Sequence, residues 1–289
     1  GLNHEEQHQE LLLTDVKHLL GTQPLRPAYR ELAPPARPPA PGAEPPGWIS
    51  FDGGLIELGH AGDGFAFDNE RPRHRRHVEP FELARRPVTC GEYLEFVADG
   101  GYARPEAWLS DGWEACTSHG WSAPLHWLEV DGAWQLYTLD GPRPLALDEP
   151  VCHVSYYEAD AYARWRGARL PREEEWEHAA EGEALAGNLL ESGRLHPAPA
   201  GPSGVRLDQA FGDVWEWCSS AYAPYPGFRP FPGGLGEYNG KWMSNRYVLR
   251  GGSCVTPMRH LRASYRNFFG PEARWQFSGL RLARGSADA

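Results

Sequence analysis

The sequence predicts a mixed α+β protein with much irregular structure, preceded by one separate helix. Three observations carry that reading. Glycine (33), proline (27) and tryptophan (12) are abundant. Short apolar runs alternate with turn residues, and helical periodicity is confined to a few stretches. No repeat of fixed period is found.

Residues 1 to about 21 read as an amphipathic helix. Leu11, Leu12 and Leu13 offer it an apolar side to bury, and Lys17, His18 and Gly21 form a usual C-terminal signature. His4 and His8 fall one turn apart on one face, where they can share a metal ion, and Gln7 sits beside that face. Two imidazoles at this spacing suit zinc, iron, copper or nickel alike, and a site needs at least a third ligand. Two other readings stand beside this one. The pair fits a plain solvated face, and His4-Glu5-Glu6-Gln7-His8 also fits a zinc-hydrolase pattern in which Glu5 activates water. His18 continues the stripe but lies roughly 15 Å along the axis from His8, too far to join the same ion. A place at the helix C-terminus suits it better. The chain opens in mid-helix without an N-cap run, which reads as the C-terminal part of a longer protein.

Residues 24–47 are dominated by proline and read as a stiff extended linker, so the expected units are 1–23, 24–47 and 48–289. After Trp48, runs such as Trp48-Ile49-Ser50-Phe51-Asp52-Gly53-Gly54-Leu55-Ile56 indicate short strands with tight turns. Three helical stretches interrupt them. One runs from Thr89 through Phe96, and one from Ser155 to Trp165, where Ser155 and Glu158 form a capping box. The third, Arg172 to Ala180, places acids at its positive end.

The formal net charge of −11 argues against binding nucleic acid by phosphate neutralisation. The basic run Arg71 to His77 reads as a salt-bridged strand entry. No apolar run approaches the roughly 20 residues of a membrane span. Cys90, Cys116, Cys152, Cys218 and Cys254 are odd in number and form no Cys-x-x-Cys pair, which suits reduced thiols in a cytoplasm.

Several motifs carry a family resemblance. Pro150-Val151-Cys152-His153-Val154-Ser155-Tyr156-Tyr157-Glu158-Ala159 is followed by Trp165-Arg166-Gly167-Ala168-Arg169-Leu170-Pro171-Arg172-Glu173-Glu174-Glu175-Trp176-Glu177. Gly212-Asp213-Val214-Trp215-Glu216-Trp217 and Leu249-Arg250-Gly251-Gly252-Ser253 come next in order. Together they resemble the formylglycine-generating-enzyme/sulfatase-modifying-factor family, which implies a C-type-lectin-like α+β fold. A formylglycine-generating enzyme uses two active-site cysteines with copper, whereas here no second cysteine lies downstream of Cys254. The histidine helix, the proline linker and the segments Gly236 to Lys241 and Arg250 to Ala283 resemble the ergothioneine-pathway sulfoxide synthases. In those, the helix belongs to a DinB-like four-helix bundle.

That resemblance implies a non-haem Fe(II) held by three histidines. Two map to His4 and His8, and the third is expected before this chain, with His153, His178 and His260 as formal alternatives. The implied reaction joins the imidazole carbon of Nα-trimethylhistidine (hercynine) to a thiol, with O₂, and yields a sulfoxide. Gln7 matches the glutamine that bonds the substrate imidazole. Asn267 and Phe268 match the segment that receives the trimethylated amino acid, where an aromatic face suits a quaternary ammonium, with Phe269, Arg266 and Arg274 beside them. Phe268 and Phe269 also read as plain core. In another branch the asparagine is followed by Trp-Asp, and that acid serves γ-glutamylcysteine. Phe268-Phe269 here leaves the donor open between cysteine and γ-glutamylcysteine. Tyr238 is the candidate proton donor, and Tyr265 reads equally as core. Asp213 is a candidate for a structural Ca²⁺ or for a turn. The alternatives are a related synthase with a selenium or other thiol donor, a zinc hydrolase, and a non-catalytic lectin-like binding module.

Overall fold

The computed structural model describes residues 1–30, 47–201, 205–236 and 239–285. Helix α1 (Leu2–Thr22) leads, followed by β1 (Trp48–Phe51), β2 (Gly54–Leu58), β3 (His74–Val78) and β4 (Phe81–Ala84). Then come α2 (Cys90–Ala98), α3 (Ser110–Ser118), β5 (Trp127–Val130), β6 (Ala133–Thr138) and β7 (Gly141–Pro144). Helices α4 (Tyr156–Trp165) and α5 (Glu173–Ala180) precede β8 (Trp215–Ala221), β9 (Tyr247–Arg250), β10 (Asn267–Phe269), β11 (Ser278–Gly279) and β12 (Ala283–Gly285). The sheets are small: β10-β9-β8-β11, β1-β4-β12, β5-β6-β7 and the pair β2-β3. Strand β11 runs parallel to β8, with Ser278 opposite Trp215.

Local chemistry explains most of these elements. Thr89 and Glu92 cap α2 reciprocally, as Ser155 and Glu158 cap α4. The basic run enters β3, where Arg73 pairs with Glu57 at 2.8 Å. Helix α3 was not visible in the sequence, because Ser110, Gly112 and Thr117 are weak helix formers. Gly112 is needed there, since a Cβ would lie 2.9 Å from the Tyr157 ring.

The motif residues lie largely in the interior. Glu216 receives Arg281 at 2.7 Å and the Trp176 indole at 2.8 Å, and both members of the ion pair are fully buried. Glu173 is shared by Arg250 and Arg266, whose guanidinium groups are also fully buried. Trp215, Trp217, Tyr93, Phe81 and Phe96 fill the core around them.

Helix α1 departs from expectation in three ways. It runs through Gly21 to Thr22, where Gln23 caps it in extended conformation. Gly21 serves close approach instead: a Cβ would lie 2.7 Å from both His126 and Tyr137. Of the expected apolar side, Leu12 is exposed, as are Leu2 and Leu19, while Leu11 and Leu13 are only half-buried. What it buries is the polar stripe Glu6, Glu10, Thr14 and Lys17, supplemented by Leu13 and Val16 at its margins. Lys17 therefore does not serve the helix C-terminus, and His18 packs edge-on near His126 at 6.1 Å. Of the expected linker, residues 31–46 lie outside the described residues. Just before them, the Tyr29 N–H donates to the Leu139 carbonyl at 2.8 Å.

Candidate active site at the face of helix α1

The polar stripe is fixed to the domain by specific bonds. Glu10 accepts from the Trp215 indole at 2.5 Å, Thr256 Oγ1 at 2.9 Å and Ser253 Oγ at 3.4 Å. These donors are neutral, and burial pushes the Glu10 carboxyl above its usual value despite them. Lys17 Nζ lies 2.7 Å from His153 Nε2 and 4.5 Å above the Phe277 ring. Burial lowers the Lys17 amine, and burial followed by the Lys17 charge holds His153 well below its ordinary value. Both are thus driven toward their neutral forms. His153 itself sits at φ +64°, a strained conformation for a residue with a side chain.

With the stripe fixed, the other face of α1 carries the histidines. His4 Nε2 and His8 Nε2 lie 3.3 Å apart. With metal–nitrogen bonds of about 2.1 Å, such a pair subtends roughly 100° at a shared ion, between the octahedral and tetrahedral angles. The pair therefore fits two positions of a metal site. Among the described residues, no group of three or more His, Cys, Asp and Glu side chains is placed to hold a metal. His153 is committed to Lys17, His260 lies against Tyr265 and Glu6, and His178 packs near Phe51 and Phe81.

Gln7, one residue before His8, donates from Nε2 to Tyr265 Oη at 2.7 Å. The Tyr265 hydroxyl also lies 3.0 Å from His260 Nε2. Glu6 approaches His260 Nδ1 at 3.4 Å and pairs with Arg259. Burial pushes His260 down to about 4. The Tyr265 ring packs against Trp215 and Phe67. In the sequence Tyr265 read as core and His260 as a formal metal alternative, and the contact of Tyr265 with Gln7, 258 residues away, left no local signal.

Two residues beyond Tyr265, Asn267 opens β10 and its side-chain carbonyl accepts from the Phe268 N–H at 2.9 Å. Phe268 stacks on Tyr222 with ring centres 4.0 Å apart, and Phe269 meets Trp275 edge-on at 5.0 Å. All three are half-buried. Arg266 makes a bidentate pair with Glu173 through Nε and Nη2 and also donates to the Asn69 and Ala223 carbonyls. Arg274 bonds Glu158 at 2.8 Å and lies over the Trp121 ring. A ligand contact by either arginine would cost an internal ion pair. Tyr238 lies outside the described residues. Asp213 does not fit a calcium site, because its carboxylate accepts from the N–H groups of Asn188, Ala198 and Gln209. A cation would face donors there, where it requires oxygens. All five cysteines are free and buried. No described helix is long and apolar enough to cross a membrane.

A family model described as sulfatase-modifying factor enzyme 1-like domain matches residues 34–200 and 194–286. The chain is 37% identical to hercynine oxygenase of Mycolicibacterium thermoresistibile, over an alignment covering 98% of this chain and 67% of that protein. It is 38% identical to hercynine oxygenase of Mycobacterium tuberculosis, covering 79% of this chain and 58% of that protein. It thus spans about three fifths to two thirds of the length of these curated relatives. Among solved structures, PvdO from Pseudomonas aeruginosa superposes with a TM-score of 0.57 at 20% identity, covering 83% of this chain and 94% of that one. That likeness shows the fold.

Proposed function

We propose that this chain, which belongs to the sulfatase-modifying-factor family and within it to the ergothioneine-pathway sulfoxide synthases, carries part of the active site of a hercynine-using oxygenase. The reaction joins the imidazole carbon of Nα-trimethylhistidine to the sulfur of cysteine or γ-glutamylcysteine, with O₂ as oxidant. The observation that carries this reading is the His4–His8 pair at 3.3 Å with the Gln7 amide beside it. His4 and His8 would hold Fe(II), and the exposed leucine face of α1 is where further helices with a third ligand would pack. Bound there, the metal would supply activation of O₂ and of the thiol.

The chain's own residues supply recognition. Gln7 meets the substrate imidazole, and Asn267 takes up its amino-acid end. The half-buried Phe268 ring, stacked on Tyr222, offers a face to the trimethylammonium group through cation–π attraction. Phe269 brings no charge to the donor side, which favours the smaller thiol, cysteine. Glu10 and Lys17 hold the helix in register with Ser253, Thr256 and His153, so that the imidazoles and the receiving segment keep their spacing.

The test is product analysis. The intact protein, loaded with Fe(II) without air, is given O₂, trimethylhistidine and either thiol, and the products are weighed by mass spectrometry. A sulfoxide adduct with one donor is expected, and Glu5→Gln should form it at an unchanged rate. An iron-loaded protein that makes no adduct with either thiol contradicts the reading. Peptide hydrolysis by the wild type that is lost in Glu5→Gln, with no adduct formed by either, would favour the zinc-hydrolase pattern instead.

A further inference from the structure

We infer that a cleft between β3, α5 and the end of β8 is a binding site for a small organic anion, a carboxylate or phosphate ester carried on a flat apolar body. The inference rests on none of the roles assigned to α1. The cleft has a volume of about 360 Å³, within the roughly 300–1,000 Å³ of small-molecule sites. Among the described residues, none of α1 or β10 lines it. Part of the basic run Arg71–His77 is put to use here. Side chains alternate along a strand, so His74 and Arg76 share the face of β3 that lines the cleft, and Arg75 falls on the other.

The apolar part of the lining is buried Leu58 and the Tyr225 ring, which meets His74 at 4.5 Å between centres, joined by Ala221 and Pro224. Around it, donors are left over. Arg76 gives only its Nε to Glu174, at 3.3 Å, and among the described residues nothing binds its two terminal nitrogens. The exposed Arg172 guanidinium has no partner among the described residues either. Ser220 Oγ accepts from the Glu173 N–H at 2.9 Å, so its own proton is free to donate. Glu173, which also lines the cleft, is already neutralised by Arg250 and Arg266. Arg76 and Arg172 are left facing one carboxylate, Glu174, so the cleft keeps a positive excess on a chain of net charge −11. Unused N–H and O–H donors around such an excess select an oxyanion, because planar guanidinium forks match carboxylate and phosphate oxygens. The aromatic and proline lining selects the body that carries it.

Calorimetry on the intact protein at low salt tests this, with benzoate and phenyl phosphate as probes. At least one of the two should bind saturably at one site, and the tighter anion names the head group. Benzamide, of the same shape as benzoate without its charge, should bind about tenfold more weakly than that anion, the scale of a hydrogen bond to a charged group. Arg172→Ala should weaken the anion by about the same factor, while Arg75→Ala, on the other face of β3, should leave it unchanged. Ala221→Trp, which fills the cleft without touching a charge, should abolish binding. Arg172 and Ala221 are exposed, so neither change threatens the fold. The inference is overturned if neither anion binds saturably, or if either Ala221→Trp or Arg172→Ala leaves binding intact. Equal weakening by Arg75→Ala and Arg172→Ala overturns it too, since that is diffuse surface charge. Inorganic phosphate bound as tightly as phenyl phosphate would mean an adventitious ion only, and also overturns it.

Discussion

Inside the domain, Glu173 is shared by Arg250 and Arg266 and Glu216 is held by Arg281, whereas along the seam with α1, Glu10 meets neutral donors and Lys17 meets an imidazole. The two carboxylates respond oppositely. Glu173, although buried, is drawn below its usual value by Arg266 and Arg250, while burial raises Glu10. Glu173 is charge-paired on two sides and can stay ionised at depth. At Glu10 and Lys17 the seam is built from groups pushed toward neutrality, while at Glu6 it is closed by an ion pair with Arg259. Many charged residues of the family motifs thus maintain the fold, and the chemistry is assigned to a helix docked against it.

The largest effect should come from breaking an interior pair. Arg281→Met leaves Glu216 buried without its counter-ion, and should lower the unfolding free energy by about 3–5 kcal/mol, measured by denaturant titration. A loss no larger than that of an exposed substitution would erase the contrast between the two regions.

A smaller effect should separate them by pH. His153 has a folded pKa below 6.5, so the unfolded chain takes up protons first as pH falls. Its contribution is present above pH 6.5 and is lost below it. Glu10 has a folded pKa above 4.5, so its contribution is present below that value and fades as pH rises. The two oppose each other between these limits. Stability measured from pH 5 to 6.5 should therefore rise more steeply with pH in Glu10→Gln than in the wild type. An equal or shallower slope would mean that Glu10 is not buried as a raised carboxyl.

Much of the fold was legible because its signals are local. The capping pairs Thr89–Glu92 and Ser155–Glu158 and the acids opening α5 announce helices by themselves. The strand entry at Arg71–His77 was readable from charge. The seam was not. Glu6, Glu10, Thr14 and Lys17 at helical spacing ordinarily mean a solvated face, and the leucines of α1 ordinarily mean a buried one. The first rule is inverted where a helix docks by polar bonds, and the second holds only at the margin, where Leu13 packs while Leu12 and Leu19 stay exposed. That His4 and His8 share a face of α1, with Gln7 beside it, was legible from spacing. The bracing by Tyr265 and His260 was not, because it joins residues some 250 positions apart in sequence. Arg266 and Arg274 stood near the right segment, but the sequence could not reveal that Glu173 and Glu158 already hold them.

The placing of the metal on α1 is tested most directly by an anaerobic Fe(II) titration of the intact protein beside His4→Ala and His8→Ala. One tightly bound iron is expected in the wild type, with loss of tight binding in each variant. His8→Ala should unfold within about 0.5 kcal/mol of the wild type, since His8 is exposed. Variants that bind iron as the wild type does would contradict the assignment of the metal to this face of α1.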